Sequence, residues 1–143
     1  MLANDYAGRI EVFGRKAGVT SLKISEWSES QNPNVKTRMQ DEAKILWSAV
    51  PQGSITFVLD ERGKSHSSEE FAALILKHAD QGAYDLSFLL GGPDGHDGST
   101  RTKASYIIAL GTMTWPHRLV RIMLLEQIYR SLTIMVNHPY HRS

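Results

Sequence analysis

The chain has 143 residues, 41% of them hydrophobic and 22% charged, and a formal net charge of +1. That length suits a single domain spanning residues 1–143 and able to bury most of the surface its unfolded form exposes, while so small a charge gives no argument for nucleic acid from the chain as a whole. No apolar run approaches the roughly 20 residues of a membrane span, the lack of cysteine removes disulfides and thiolate metal sites, and Met1 to Tyr6 has no secretory pattern, which leaves the cytoplasm as the expected location.

Asp5 to Lys16 reads as a short amphipathic helix, with Tyr6, Ile10 and Phe13 at spacings of four and three and with Gly14 and Gly18 ending it. Val19 to Trp27 alternates apolar and polar residues, the period of a half-buried strand. Ser28 to Asn34 is a polar loop. From Val35 to Val50 the apolar residues Val35, Met39, Ala43, Leu46, Trp47 and Val50 fall on one helix face, which Pro51 and Gly53 close. Ile55 to Leu59 is a continuous β-branched and aromatic run, as in a strand buried on both faces, stopped by Asp60 to Lys64. Ser67 and Ser68, with Glu69 and Glu70 behind them, start a helix through Ala79.

The stretch from Ser87 to Pro116 organises the rest. Ser87-Phe88-Leu89-Leu90 is an apolar strand that runs into Gly91-Gly92-Pro93-Asp94-Gly95, and Ser99 to Ser105 is a short helical piece. Tyr106 to Leu110 is a second apolar strand and runs into Gly111-Thr112-Met113-Thr114-Trp115-Pro116. Ligands of open parallel sheets sit beyond the carboxyl ends of the strands, where glycine lets backbone approach them. These loops therefore outline a small-molecule crevice, and tight turns alone are the plainer reading. The helix beyond Pro116 carries apolar residues on several flanks, Leu119, Ile122, Met123, Leu124, Leu125, Ile128, Tyr129 and Leu132 among them. One flank is expected on the sheet and another against a second copy of the chain. The alternation of elements calls for an α/β fold, a mostly parallel sheet with helices on both faces.

The end of the chain is chemically dense. From Trp115 to Ser143 there are four arginines against one acid, Glu126, and the last residues run Asn137-His138-Pro139-Tyr140-His141-Arg142. Chain ends are usually frayed and bland. A solvated basic tail is one reading; the other is a clamp, since Arg grips phosphate with two hydrogen bonds and Tyr or His stacks on an unpaired base.

Four segments together, Leu90 to Gly95, Met113 to Arg121, Glu126 to Arg130 and Asn137 to Arg142, with Asp60 to Lys64 also fitting, resemble the ribosomal RNA large-subunit methyltransferase H family of the SPOUT superfamily. The resemblance runs from about Tyr6 to Arg142. It implies a homodimer whose C-terminal segment forms a trefoil knot, a topology that general rules of chain connection would not suggest. It implies transfer of a methyl group from S-adenosylmethionine to N3 of a pseudouridine in large-subunit ribosomal RNA within the ribosome, with no metal. Carried over residue by residue, the cofactor positions are Leu59, Gly92, Gly111, Thr112, Met113, Thr114, Trp115 and Pro116. His117, Arg121, Tyr140, His141 and Arg142 fall where substrate contacts and catalysis are expected, the tail of one subunit lying near the cofactor of the other. Core packing is the plainer reading of Leu59, and a helix-start role that of His117. The chain departs from the family in lacking its first strand, and the glycines around His96-Asp97-Gly98-Ser99 suggest a looser wall at the cofactor site. A noncatalytic RNA-binding or dimerisation module is the alternative. An unrelated nucleotide-binding protein is a weaker one, since neither a P-loop nor a Gly-x-Gly-x-x-Gly run after a strand is present.

Overall fold

The computed structural model describes residues 2–19, 21–83 and 85–142, with the backbone alone at Arg142. They fall into two compact units, one built on a sheet (Glu26–Ser65 and Gly82–His117) and one helical (the described residues of Met1–Ser25, His66–Gln81 and Arg118–Ser143).

The sheet unit holds three parallel strands in the order β2–β1–β3: β1 is Ile55–Ser65, β2 Leu86–Leu90 and β3 Tyr106–Ala109. Thr56 to Leu59 are all buried, as expected of a central strand with both faces covered. Register is set by an aromatic row. Phe57 faces Phe88 on one side and Tyr106 on the other, and its ring stacks on both, 4.8 and 5.2 Å between centroids with 17° between planes in each case. At the strand starts, Thr56 and Ser105 exchange hydrogen bonds, each backbone N–H donating to the other's hydroxyl, at 3.0 and 2.9 Å.

Asp60 to Lys64 do not stop the strand. After a bulge β1 resumes, so that Leu59 and Lys64 both face Ile108, and Ser65 faces Ala109. Gly63 is what allows the return: a Cβ there would sit 2.6 Å from the Ile107 carbonyl. The turn signals of Asp60 and Gly63 are real, but they shape a bulge within the strand.

Two helices complete this unit. In α2 (Val35–Ser48), Asn34 caps the first turn by accepting from the Thr37 N–H; Val35 and Ile45 are exposed and Ala43 is the buried residue. The helix stops at Ser48, two residues before Val50. In α4 (Gly98–Lys103), Asp97 is the cap and accepts from the Thr100 N–H at 2.9 Å.

The helical unit contains α1 (Leu2–Gly14) with a single 3-10 turn Arg15–Ala17, α3 (Ser68–Asp80), α5 (His117–Met135), which starts from the sheet unit's last residue, and a closing 3-10 turn Pro139–Arg142. Its core is Ile10, Leu125, Tyr129 and Leu132, with Tyr6, Phe13, Leu22, Met135 and Tyr140 packed around it. Burying a side chain such as Leu132 contributes roughly 1.5–3 kcal/mol before entropy is counted. α3 begins with a full capping box, Ser67 accepting from the Glu70 N–H and the Glu70 carboxylate from the Ser67 N–H.

The expected strand from Val19 to Trp27 is absent: residues 19 and 21–27 form no strand, and Thr20 lies outside the described residues. Alternation signals a half-buried segment, but a strand also needs a neighbour to accept its hydrogen bonds, and none of the described strands pairs with this segment. Leu22 packs on the helical core instead, and Ile24 and Trp27 are exposed. Among the described residues the sheet therefore has three strands where the sequence pattern called for four.

Candidate functional site

Leu59 faces Leu90 across one strand pair and Ile108 across the other, which brings the carboxyl ends of three parallel strands to one edge of the sheet. The loops that leave this edge carry the expected cofactor residues. Leu59 is buried at the end of the first run of β1. Gly92, after β2, is bridged to Gly95 in a tight turn. Gly111, after β3, has φ +91°, open to glycine at no cost. Beyond it Thr112, Met113, Trp115 and Pro116 are exposed, Met113 at 69% being the most exposed large apolar residue there. The second loop is nonetheless fixed at both flanks: the Trp115 indole N–H donates to the Leu110 carbonyl at 3.0 Å, and the Thr114 hydroxyl to the Glu61 carboxylate at 2.7 Å.

The wall around His96 is built rather than loosened by its glycines. His96 is 5% exposed, and burial holds its imidazole below the ordinary pKa, against the pull of Asp60 and of the Leu89 and Leu59 backbone. Arg101 donates to the His96 carbonyl at 2.8 Å. Burial pushes the Asp97 carboxyl up, but the hydrogen bonds from Thr100 and Ser99 outweigh it and leave the acid below its usual value. Asp94 is held below the carboxylate range by Arg38, which grips it with two nitrogens at 2.7 and 3.2 Å. Glu42, from α2, and His96 line one cleft with Gly92, and each has a buried atom without a partner, Oε1 and Nε2. Glu42 gave no signal in the sequence, being one charge among several on a helix. In the sequence His96 figured only as the first residue of the glycine-rich stretch His96 to Ser99.

Of the expected substrate residues, His117 is exposed as the first residue of α5 in the sheet unit. Arg121, Tyr140 and His141 belong to the helical unit, with Arg121 half-buried on α5. Arg142 closes the last 3-10 turn, its side chain outside the described atoms. The tail is held. α5 ends where Asn137 turns to φ 63° and the His138 N–H donates back to the Thr133 carbonyl. The Tyr140 ring meets Tyr129 edge-on at 4.7 Å, and its hydroxyl donates to Glu126 at 3.1 Å. Burial, then the bonds to Tyr6 and Glu126, raise the phenol pKa.

These contacts close into a ring between α3, α5 and the tail. Ser68 donates to Gln127 at 2.7 Å, Gln127 to Glu126 at 2.9 Å, and Arg130 to Glu126 at 2.6 Å. Arg130 also reaches His141 Nδ1 at 3.5 Å, and His141 Nε2 lies 2.8 Å from Glu69, the neighbour of Ser68. An arginine can only donate, so a hydrogen bond from Arg130 to Nδ1 goes with the His141 tautomer that carries its hydrogen on Nε2, the nitrogen beside Glu69. The His141 bond holds the Glu69 carboxyl below its usual pKa. Glu69 read in the sequence as part of a helix's first turn, and its link to His141 spans 72 positions.

A parallel sheet flanked by helices, with glycine loops leaving one edge, places the chain in the α/β class of folds, in which ligands sit beyond the carboxyl ends of the strands. The chain matches the model of the predicted SPOUT methyltransferase family over residues 1–141. It is 47% identical over 141 residues to the ribosomal RNA large subunit methyltransferase H of Rhizobium rhizogenes, an alignment covering 99% of this chain and 88% of the relative. The protein of that name from Rhizobium leguminosarum is 45% identical with the same coverage, and the one from Bartonella bacilliformis 46% identical over 136 residues, 93% of this chain and 85% of the relative. The chain belongs to the SPOUT methyltransferase family, among relatives named ribosomal RNA large subunit methyltransferase H.

Proposed function

We propose that this protein is an S-adenosylmethionine-dependent methyltransferase that modifies N3 of a pseudouridine in large-subunit ribosomal RNA. It acts as a cytoplasmic homodimer of single-domain, knotted subunits on the assembled ribosome. The observation that carries the reading is the alignment of the carboxyl ends of the three parallel strands at one sheet edge, with Leu59 at the end of the first run of β1 and Gly92 and the 111–116 loop following β2 and β3, in a chain aligned almost end to end with relatives of that name. The residues present fit the cofactor. Gly92 and Gly111 let backbone approach a nucleoside, Leu59, Met113 and Trp115 offer apolar cover, and the loop amides and carbonyls suit an adenine edge.

When bound, S-adenosylmethionine supplies an electrophilic methyl group. The chain's own residues handle the proton and the charge. N3 of pseudouridine is an imide nitrogen whose proton must leave as the new bond forms, and exposed His117 beside the second loop is the group proposed to take it. Arg121 and Arg142 lend positive charge to the imide anion or to flanking phosphates. Tyr140 and His141, tied to Glu126 and Glu69, set the course of the tail.

Calorimetric titration tests the reading. Saturable binding of S-adenosylmethionine with no binding of a nucleoside triphosphate is expected. Binding of ribosomes without S-adenosylmethionine would leave a noncatalytic module in its place.

A further inference from the structure

Gly92 does not have a left-handed backbone, so its lack of a side chain needs another cause. A Cβ at position 92 would come within 2.9 Å of Glu42 Oε1, so glycine leaves this carboxylate oxygen in place where a larger residue would shift the Glu42 side chain. That carboxylate is half used, for Oε2 accepts the Ser30 N–H at 3.0 Å while Oε1 is buried with no partner. Arg38 feels the charge of Glu42, but no neighbouring group donates a hydrogen bond to Oε1. Arg38, one turn earlier on α2, is committed to Asp94 and to the Asn32 carbonyl. The other acid of the cleft, Asp97, is used in capping α4. His96, on the same cleft, is kept toward its neutral form by burial. A buried anionic oxygen with no donor costs free energy that a bound cation with N–H groups would recover.

We infer that Glu42 binds the α-ammonium group of the methionyl part of S-adenosylmethionine. The inference rests on the reading of this edge as the cofactor site. An ammonium satisfies both needs of Oε1, a hydrogen-bond donor and an opposite charge, whereas the sulfonium has no hydrogen to donate and ribose hydroxyls carry no charge.

The test is calorimetric titration of the full chain and of Glu42→Gln with three probes: S-adenosylmethionine, S-adenosylhomocysteine, which keeps the ammonium but has a neutral sulfur, and 5′-methylthioadenosine, which lacks the amino-acid part. Gln keeps the shape and can still accept from Ser30. The expected result is a loss of about tenfold or more for the first two probes, the scale of one charge-assisted hydrogen bond, with the third unchanged. Loss for S-adenosylmethionine alone would assign Glu42 to the sulfonium. Equal loss for all three would assign it to the nucleoside or to the fold, and no loss would mean that water satisfies Oε1; each of these overturns the inference while leaving the cofactor site in place. A parent protein that binds none of the probes overturns the cofactor reading itself. Glu42→Ala, compared by circular dichroism and the same titrations, shows whether any loss follows unfolding: a folded Glu42→Ala with parent affinity for S-adenosylmethionine also overturns the assignment.

Discussion

At the scale of single residues, the site rests on what glycine and histidine do beside Glu42. Gly92→Val places a branched side chain where Glu42 Oε1 sits 2.9 Å from the Cβ position, so it is expected to abolish S-adenosylmethionine binding while leaving the oligomer intact. Unchanged affinity by calorimetry would remove Gly92 from the site. His96 gives a pH dependence whose sign is fixed. Burial lowers its folded pKa below the unfolded value of about 6.5. The unfolded chain therefore binds the proton more readily, and the stability that comes from keeping the ring neutral is present above about pH 6.5 and lost as pH falls toward the folded value. Urea midpoints should drop on acidification through that window, and less so in His96→Leu; parallel midpoints in the two proteins would contradict this. Sequence alone exposed Gly92 and Gly111 because glycine is a strong signal after a strand, but not Glu42, whose meaning depends on a loop 50 positions away.

At the scale of elements, local chemistry was readable and pairing was not. The Ser67 cap with Glu70 and the buried run of Ile55 to Leu59 follow from neighbours in the chain. The fate of Val19 to Trp27 depends on whether another strand lies beside it, and the extension of β1 past Gly63 depends on the Ile107 backbone, neither of which a local pattern contains. The aromatic row is the element that keeps the three strand ends level. Phe57 is fully buried between Phe88 and Tyr106, so Phe57→Ala should cost about 3–5 kcal/mol, measured as a shift in denaturant midpoint. A loss near zero would mean that register is set elsewhere. In the tail, the ring of contacts has unequal members. Glu69 is largely exposed, so its hydrogen bond with His141 contributes little, whereas Glu126 receives Arg130, Tyr140 and Gln127 together. Hydrogen exchange of the amides of His138, Tyr140 and His141 should quicken markedly in Glu126→Ala and only slightly in Glu69→Ala. The reverse order would show that His141 is the true anchor.

At the scale of the whole molecule, the proposal is a dimer in which the tail of one subunit completes the pocket of the other. Leu119 at the start of α5 is exposed, and Ile122 and Met123 are half-buried, which leaves apolar surface for a second copy. Sedimentation should give twice the 16.0 kDa of the chain, and a monomer at micromolar concentration would contradict the proposal. A mixed dimer then tests sharing. One subunit lacks Tyr140 to Arg142 and the other carries Gly92→Val. If tails cross, the intact pocket of the first meets the intact tail of the second and about half the activity survives. If each tail serves its own pocket, both sites are broken.

The most direct measurement of the central claim is mass spectrometry of nucleosides from large-subunit ribosomal RNA after ribosomes lacking the modification are incubated with this protein and S-adenosylmethionine. The account predicts a methyl group on N3 of one pseudouridine, absent when S-adenosylmethionine is left out. Ribosomal RNA that stays unmethylated, in the presence of protein shown to bind both partners, would contradict it.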